Sequence, residues 1–162
     1  MASLATMPSS RKKILVADDD PLLLATLSRA LLAEGYEVAT AASGSETISR
    51  VQESKPDLVL LDLDFPPDTR NVSSTLEDGF TIISWLRGLG GAAKTPIIII
   101  SGTEPLEYLE RAQAAGVVMT FHKPVDHDRL LEVIRMTLDG HGLLSGSPST
   151  SLGQQQAELF AL

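Results

Sequence analysis

Pro56-Asp57-Leu58-Val59-Leu60-Leu61-Asp62-Leu63-Asp64-Phe65-Pro66 is the stretch that decides the fold. Four apolar residues run from Leu58 to Leu61 with no polar residue between them. A strand with one wet face alternates apolar and polar side chains. An unbroken apolar run instead predicts a strand buried on both faces, as in a parallel sheet covered by helices. Pro56-Asp57 punctuates its start, and Asp62 ends it at an abrupt change of polarity.

The same reading extends outward. Ile14 to Ala17 and Ile97 to Ile100 are equally apolar runs, ending in Asp18-Asp19 and Ser101-Gly102. Tyr36 to Ala41 and Val117 to Phe121 complete five predicted strands. Helical spacing fills the gaps. Asp20 is a predicted N-cap with Pro21 in the first turn, Leu24, Leu27 and Leu31 share a face, and Gly35 stops that helix. Ser43 and Glu46 form a capping-box pattern for a short helix to Ser54. Ile82, Ile83, Trp85 and Leu86 predict a helix core after Gly79. Pro105 predicts a helix start, with Leu106, Leu109 and Ala112 on one face, and Asp126 caps a helix carrying Leu130, Ile134 and Leu138. Strand and helix thus alternate five times, the pattern of a doubly wound α/β domain with helices on both faces of a five-stranded parallel sheet.

The 162 residues suit one such domain with ragged ends. Residues 1–10 read as a disordered lead, 11–139 as the domain, and 140–162 as a Gly/Ser/Pro-rich tail with room for a short helix. A net charge of −8 argues against a nucleic-acid surface. The chain has no cysteine, which excludes disulfides and thiolate chemistry. Apolar runs are far too short for a membrane span, and the N-terminal basic residues follow rather than precede the weakly apolar stretch. The expected location is therefore the cytoplasm.

In open α/β sheets, ligands sit beyond the carboxyl ends of the strands. That edge would collect Asp18, Asp19, Asp62, Ser101 and Lys123. Clustered carboxylates repel unless a cation is present, and their hard oxygens suit Mg²⁺, with Mn²⁺ as a substitute. Mg²⁺ and Lys123 would neutralise a phosphoryl group, Ser101 would donate to it, and Asp62 is the candidate nucleophile at phosphorus.

The stretches ILVADDDP (14–21), PDLVLLDLDFP (56–66), DGF (78–80), PIIIISG (96–102) and HKP (122–124) resemble, in order and spacing, the receiver domain of bacterial two-component response regulators. The resemblance implies a flavodoxin-like sheet of order 2-1-3-4-5. It implies phosphorylation of Asp62 by a sensor histidine kinase or a histidine phosphotransfer protein. Asp18, Asp19, Asp62 and the backbone carbonyl of Asp64 would hold the metal. Lys123 would pair with Asp62 and then with the phosphoryl group, and its bond to Pro124 would be cis. Ser101 would move toward that group, and Gly102 would leave room for its entry. Output would pass to a downstream protein through the face of the fourth helix, fifth strand and fifth helix, with a homodimer among the outcomes. No enzymatic activity is expected beyond autocatalysis of the domain's own phosphorylation and dephosphorylation.

Three positions depart from the family. The loop over 67–77 is about nine residues longer than usual, and long loops inside compact domains are either functional or disordered. Thr120 stands where the family places an aromatic switch residue, while strand alternation points Phe121 to the other face. Asp64 is acidic where many relatives are neutral. Two other functions compete with this one. A pseudo-receiver would keep the fold as a binding module without phosphorylation. A small phosphatase of the haloacid-dehalogenase type would use Asp62-x-Asp64, with Asp64 as general acid, but Pro66 and the order of the acidic residues fit it poorly.

Overall fold

The structure is a computed structural model that describes residues 10–65 and 79–140. The expected lead up to residue 9, the 67–77 insertion and the tail past Gly140 lie outside the described residues. The elements are β1 (Lys13–Ala17), α1 (Pro21–Ala33), β2 (Glu37–Ala41), α2 (Gly44–Ser54), β3 (Leu58–Leu61), α3 (Gly79–Gly88), β4 (Ile97–Ser101), α4 (Leu109–Ala114), β5 (Met119–His122) and α5 (His127–Leu138). All strand pairs are parallel, in the order β2-β1-β3-β4-β5. This is the predicted doubly wound sheet, with β3 at its centre.

The apolar runs are buried on both faces because each strand feeds two cores. Leu15, Val59, Leu61, Ile97 and Ile99 pack with Ile48 and Val51 of α2, Ile82, Ile83 and Leu86 of α3, and Ala112 of α4. The alternate residues Ile14, Val16, Leu58, Leu60, Ile98 and Ile100 pack with Leu27 and Leu31 of α1 and with Leu130, Val133 and Ile134 of α5. Burying such side chains is worth about 1.5–3 kcal/mol each. A polar residue within either run would face one of these cores.

The predicted caps form. The Asp20 carboxylate accepts from Leu22 N at 2.9 Å, and Asp126 from Arg129 N at 3.0 Å. Ser43 Oγ accepts from Glu46 N, while the Glu46 carboxylate reaches back to Ala42 N. Gly35 follows α1 at φ +90°, and Tyr36 N then closes on Leu31 O, a left-handed turn that glycine enters without a Cβ penalty.

Three expectations are corrected. Trp85, predicted as helix core, is 46% exposed, since Ile82, Ile83 and Leu86 already fill the inward stripe of α3. The helix predicted from Pro105 is split into a 3-10 turn, Pro105–Glu107, and α4. Leu106 is 90% exposed, and Tyr108 is buried in its place, one turn ahead of Ala112. Tyr108 N bonds Pro105 O, and Ala112 N bonds Tyr108 O, so the change of helix type falls where the larger ring turns inward. The last strand begins at Met119 rather than Val117.

Candidate functional site

Parallel pairing brings the strand ends to one edge. Ala17 is in register with Leu61, and Ser101 with His122. Asp18 and Asp62 follow directly after their strands, with Asp62 N bonded to Ala17 O at 2.9 Å and Asp18 N to Ala41 O at 3.0 Å. Lys123 follows β5, its backbone N bonded to Ser101 O at 2.8 Å. Its bond to Pro124 is cis.

Both buried carboxylates are held in the same way. Asp18 Oδ1 accepts from the amide of Asp20 at 2.8 Å, and Asp62 Oδ1 from the amide of Asp64 at 3.0 Å. Each turn is a local Asx-type bond two residues on. The second oxygen of each faces the Lys123 ammonium, at 2.7 Å for Asp18 and 3.2 Å for Asp62. Asp18 and Asp62 are each 2% exposed. Buried charges of this kind cost several kcal/mol each unless paired and hydrogen-bonded. Lys123 is thus shared between two carboxylates and lies closer to Asp18, whereas the resemblance implied a pair with Asp62.

The electrostatics follow from that packing. Burial raises the pKa of Asp62, and the neighbouring Asp18 charge adds to the rise. The Asp64 amide and Lys123 oppose it. Burial pulls the Lys123 pKa down, but the two carboxylates outweigh it, and the net shift is upward.

Asp19 is exposed, and carboxylate oxygens of Asp18, Asp19 and Asp62 all lie within 4.8 Å of one another. Three hard oxygens, two fixed and one reached from solvent, suit a divalent cation such as Mg²⁺ that keeps some of its waters. Asp20 is spent on capping α1. Gly102 is exposed, with open space where a Cβ would stand.

Ser101, the last residue of β4, is fully buried. Its hydroxyl donates to Asp64 Oδ2 at 2.9 Å, and the Thr103 hydroxyl lies 3.1 and 3.2 Å from the two Asp64 oxygens. The Asp64 side chain therefore faces Ser101 and Thr103, contacts that its place in the sequence did not announce. Thr120 is buried beside Ile99, while Phe121 packs with Ile100 on the other face, as alternation required. Tyr108 and Phe80 occupy the Thr120 side, their ring centroids 6.3 Å apart, and the Arg111 guanidinium lies 4.1 Å above the Phe80 ring.

Two residues have roles that the sequence did not reveal, Gly79 at this edge and Arg87 at the opposite edge, where β4 and β5 begin. Gly79 N bonds Leu63 O at 3.2 Å, and a Cβ at Gly79 would stand 2.8 Å from Asp62 O. The DGF stretch carried that glycine without its reason. Arg87 donates to the carbonyls of Ala93, Thr95, Ala115 and Gly116, tying α3 to two loops, a role with no local sequence signal.

The family model for the response regulator receiver domain matches residues 14–135. The chain is 28% identical over 140 residues to the transcriptional regulatory protein PrrA of Mycobacterium tuberculosis, covering 86% of this chain and 55% of that one. It is 27% identical to sporulation initiation phosphotransferase F of Bacillus subtilis, covering 78% and 94%. Among solved structures, a CheY-like receiver domain protein from Methanospirillum hungatei superposes with a TM-score of 0.71 at 29% identity, covering 81% and 96%. Chemotaxis protein CheY4 of Vibrio cholerae gives 0.70 at 26% identity, covering 80% and 100%. The chain spans about half the length of the PrrA proteins it matches.

Proposed function

The chain belongs to the response regulator receiver domain family, a family of phosphoacceptors in two-component signalling, and on that premise we propose that Asp62 is the residue that takes the phosphoryl group. The observation that carries this reading is the Lys123 ammonium, 2.7 Å from Asp18 and 3.2 Å from Asp62. A cation 61 residues along the chain meets the carboxylate of the central strand at the ligand edge of the sheet.

Asp62 would attack the phosphorus of a phosphohistidine on a histidine kinase or phosphotransfer protein. A bond forms between an Asp62 carboxylate oxygen and phosphorus as the bond from phosphorus to the imidazole nitrogen breaks. The imidazole leaves with the electron pair and takes a proton from solvent. Two hydrogen bonds hold the Asp62 carboxylate in place, so little ordering remains at the moment of transfer. Lys123 would follow the developing charge onto the phosphoryl oxygens, and Ser101 would add a hydroxyl donor. Gly102 leaves open space beside them.

Asp18, Asp19 and Asp62, with the Asp64 carbonyl, would hold Mg²⁺, and Mn²⁺ in its place. That ion, when bound, supplies positive charge to the phosphoryl oxygens. Residues 11–139 would form the working unit, acting in the cytoplasm where such donors present their phosphohistidine. No helix among the described residues is long and apolar enough to cross a membrane. The output face would combine α4, β5 and α5 and would engage a downstream protein or a second copy of the chain. Catalysis would be confined to the domain's own phosphorylation and dephosphorylation.

The test is labelling by acetyl phosphate with Mg²⁺. The wild-type protein takes up one phosphoryl group, and Asp62→Asn takes up none while keeping its circular dichroism. Undiminished labelling of the variant would reject the assignment.

A further inference from the structure

The Asp64 carboxylate sits where two hydroxyl donors from another strand end converge. Ser101 Oγ donates to Asp64 Oδ2 at 2.9 Å, and Thr103 Oγ1 lies within 3.2 Å of both Asp64 oxygens. Ser101 Oγ also accepts the Thr103 amide at 3.0 Å, which folds residues 101–103 into one bonded unit. Asp64 is itself tied to the site, since its amide donates to Asp62 Oδ1 at 3.0 Å. Acceptor aspartate, exposed aspartate and hydroxyl turn thus form one continuous chain of hydrogen bonds.

A serine hydroxyl has one proton to give. While that proton goes to Asp64, it is not available to an oxygen of a phosphoryl group on Asp62. Hydroxyl to carboxylate is a charge-assisted bond, stronger than one between neutral groups. A phosphoryl group offers the same kind of bond, so moving Ser101 exchanges one anionic acceptor for another. The outcome depends on how firmly the first acceptor holds.

We propose that Asp64 is a positioning residue that competes with the phosphoryl group for Ser101 and Thr103, holding the turn after β4 in its unphosphorylated arrangement. The proposal rests on Asp62 being the phosphoacceptor. It assigns to the Asp64 side chain a role separate from that of its backbone carbonyl. Because the competitor lies on the same loop end as the acceptor, it needs no partner protein to act.

The experiment measures binding of beryllofluoride, a non-covalent mimic of an aspartyl phosphate, to the full chain in Mg²⁺. Asp64→Ala removes the competing acceptor and should tighten binding about tenfold, the scale of one hydrogen bond to a charged group. Asp64→Asn removes the charge but keeps an acceptor oxygen, and should gain less. In a Ser101→Ala/Thr103→Val background the Asp64→Ala gain should shrink below about twofold, since coupled residues lose their interaction together. The Thr103 amide resonance of Asp64→Ala, without beryllofluoride, should shift toward its position in the bound wild type. Equal gains for Ala and Asn that persist in the double background would mean simple charge repulsion and would overturn the proposal. A wild-type protein that binds beryllofluoride, with Asp64→Ala binding no tighter, would overturn it alone. A wild-type protein that does not bind would overturn the phosphoacceptor reading, and this proposal with it.

Discussion

A Cβ on Gly79 would stand 2.7 Å from the Cα of Leu63, a backbone atom that cannot swing aside. The first residue of α3 is packed directly on the loop that carries Asp62 and Asp64. Gly79→Ala should therefore displace that loop, at a cost of about 1–3 kcal/mol, the usual range for overpacking. Its unfolding midpoint should fall and its rate of phosphoryl uptake should drop with it. Wild-type stability and uptake in the variant would show that the loop yields freely.

Asp62 makes the fold's stability depend on pH. Its pKa is raised above the ordinary 3.8 by burial, with Asp18 adding to the rise. The folded state then keeps a proton that the unfolded state has lost, so this group's contribution falls as pH rises through the folded pKa. Without divalent cation, Asp62→Asn should gain stability relative to wild type as the pH goes from about 4 to about 7, a span that starts at the ordinary carboxylate range. Urea unfolding of both proteins across that span measures the difference. A difference that stayed constant, or that rose toward acid, would contradict a buried Asp62 carboxylate.

Asp19 and Asp20 are neighbours with separate tasks. Asp19 stands within 4.8 Å of the other two carboxylates, while Asp20 caps α1 through Leu22 N. Asp19→Ala should weaken Mg²⁺ binding by about tenfold or more, as expected when one charged ligand is lost. Asp20→Ala should leave that affinity nearly unchanged and cost about 1 kcal/mol of stability. Calorimetric titration with Mg²⁺ and thermal melts separate the two, and equal effects on the metal would undo the division.

Tyr108 fills space near Thr120 with its ring rather than its hydroxyl. Neither hydroxyl oxygen has a hydrogen-bond partner among the described residues. Burial raises the Tyr108 pKa. Tyr108→Phe should cost less than about 0.5 kcal/mol, since only an unpaired group is removed, whereas Tyr108→Ala should cost about 3–5 kcal/mol. A large loss in the Phe variant would mean that the hydroxyl is bonded after all.

The sheet was readable because burial on two faces leaves an unmistakable mark. Leu58–Leu61 and Ile97–Ile100 could not alternate, and Asp20, Ser43 and Asp126 announce helix starts through local bonds. The strand ends placed Asp18, Asp62, Ser101 and Lys123 at one edge for the same reason. What escaped depends on contacts between distant segments. Asp64 meets Ser101 and Thr103 only because Leu61 is in register with Ile99, and one-dimensional spacing does not record register. Leu106 and Tyr108 both fit an apolar helix face, and the ring won because it packs against Phe80. Trp85 belongs to the same apolar helical pattern as Ile82, Ile83 and Leu86, yet those three already occupy the inward stripe of α3.

The most direct measurement is chemical mapping of the modified residue. The protein is treated with acetyl phosphate and Mg²⁺, reduced with borohydride to convert any aspartyl phosphate to homoserine, and digested for peptide sequencing by mass spectrometry. Homoserine is expected at position 62 and at no other aspartate. Homoserine at Asp18, Asp19 or Asp64, or its absence at position 62 in protein shown to be phosphorylated, would contradict the assignment of Asp62.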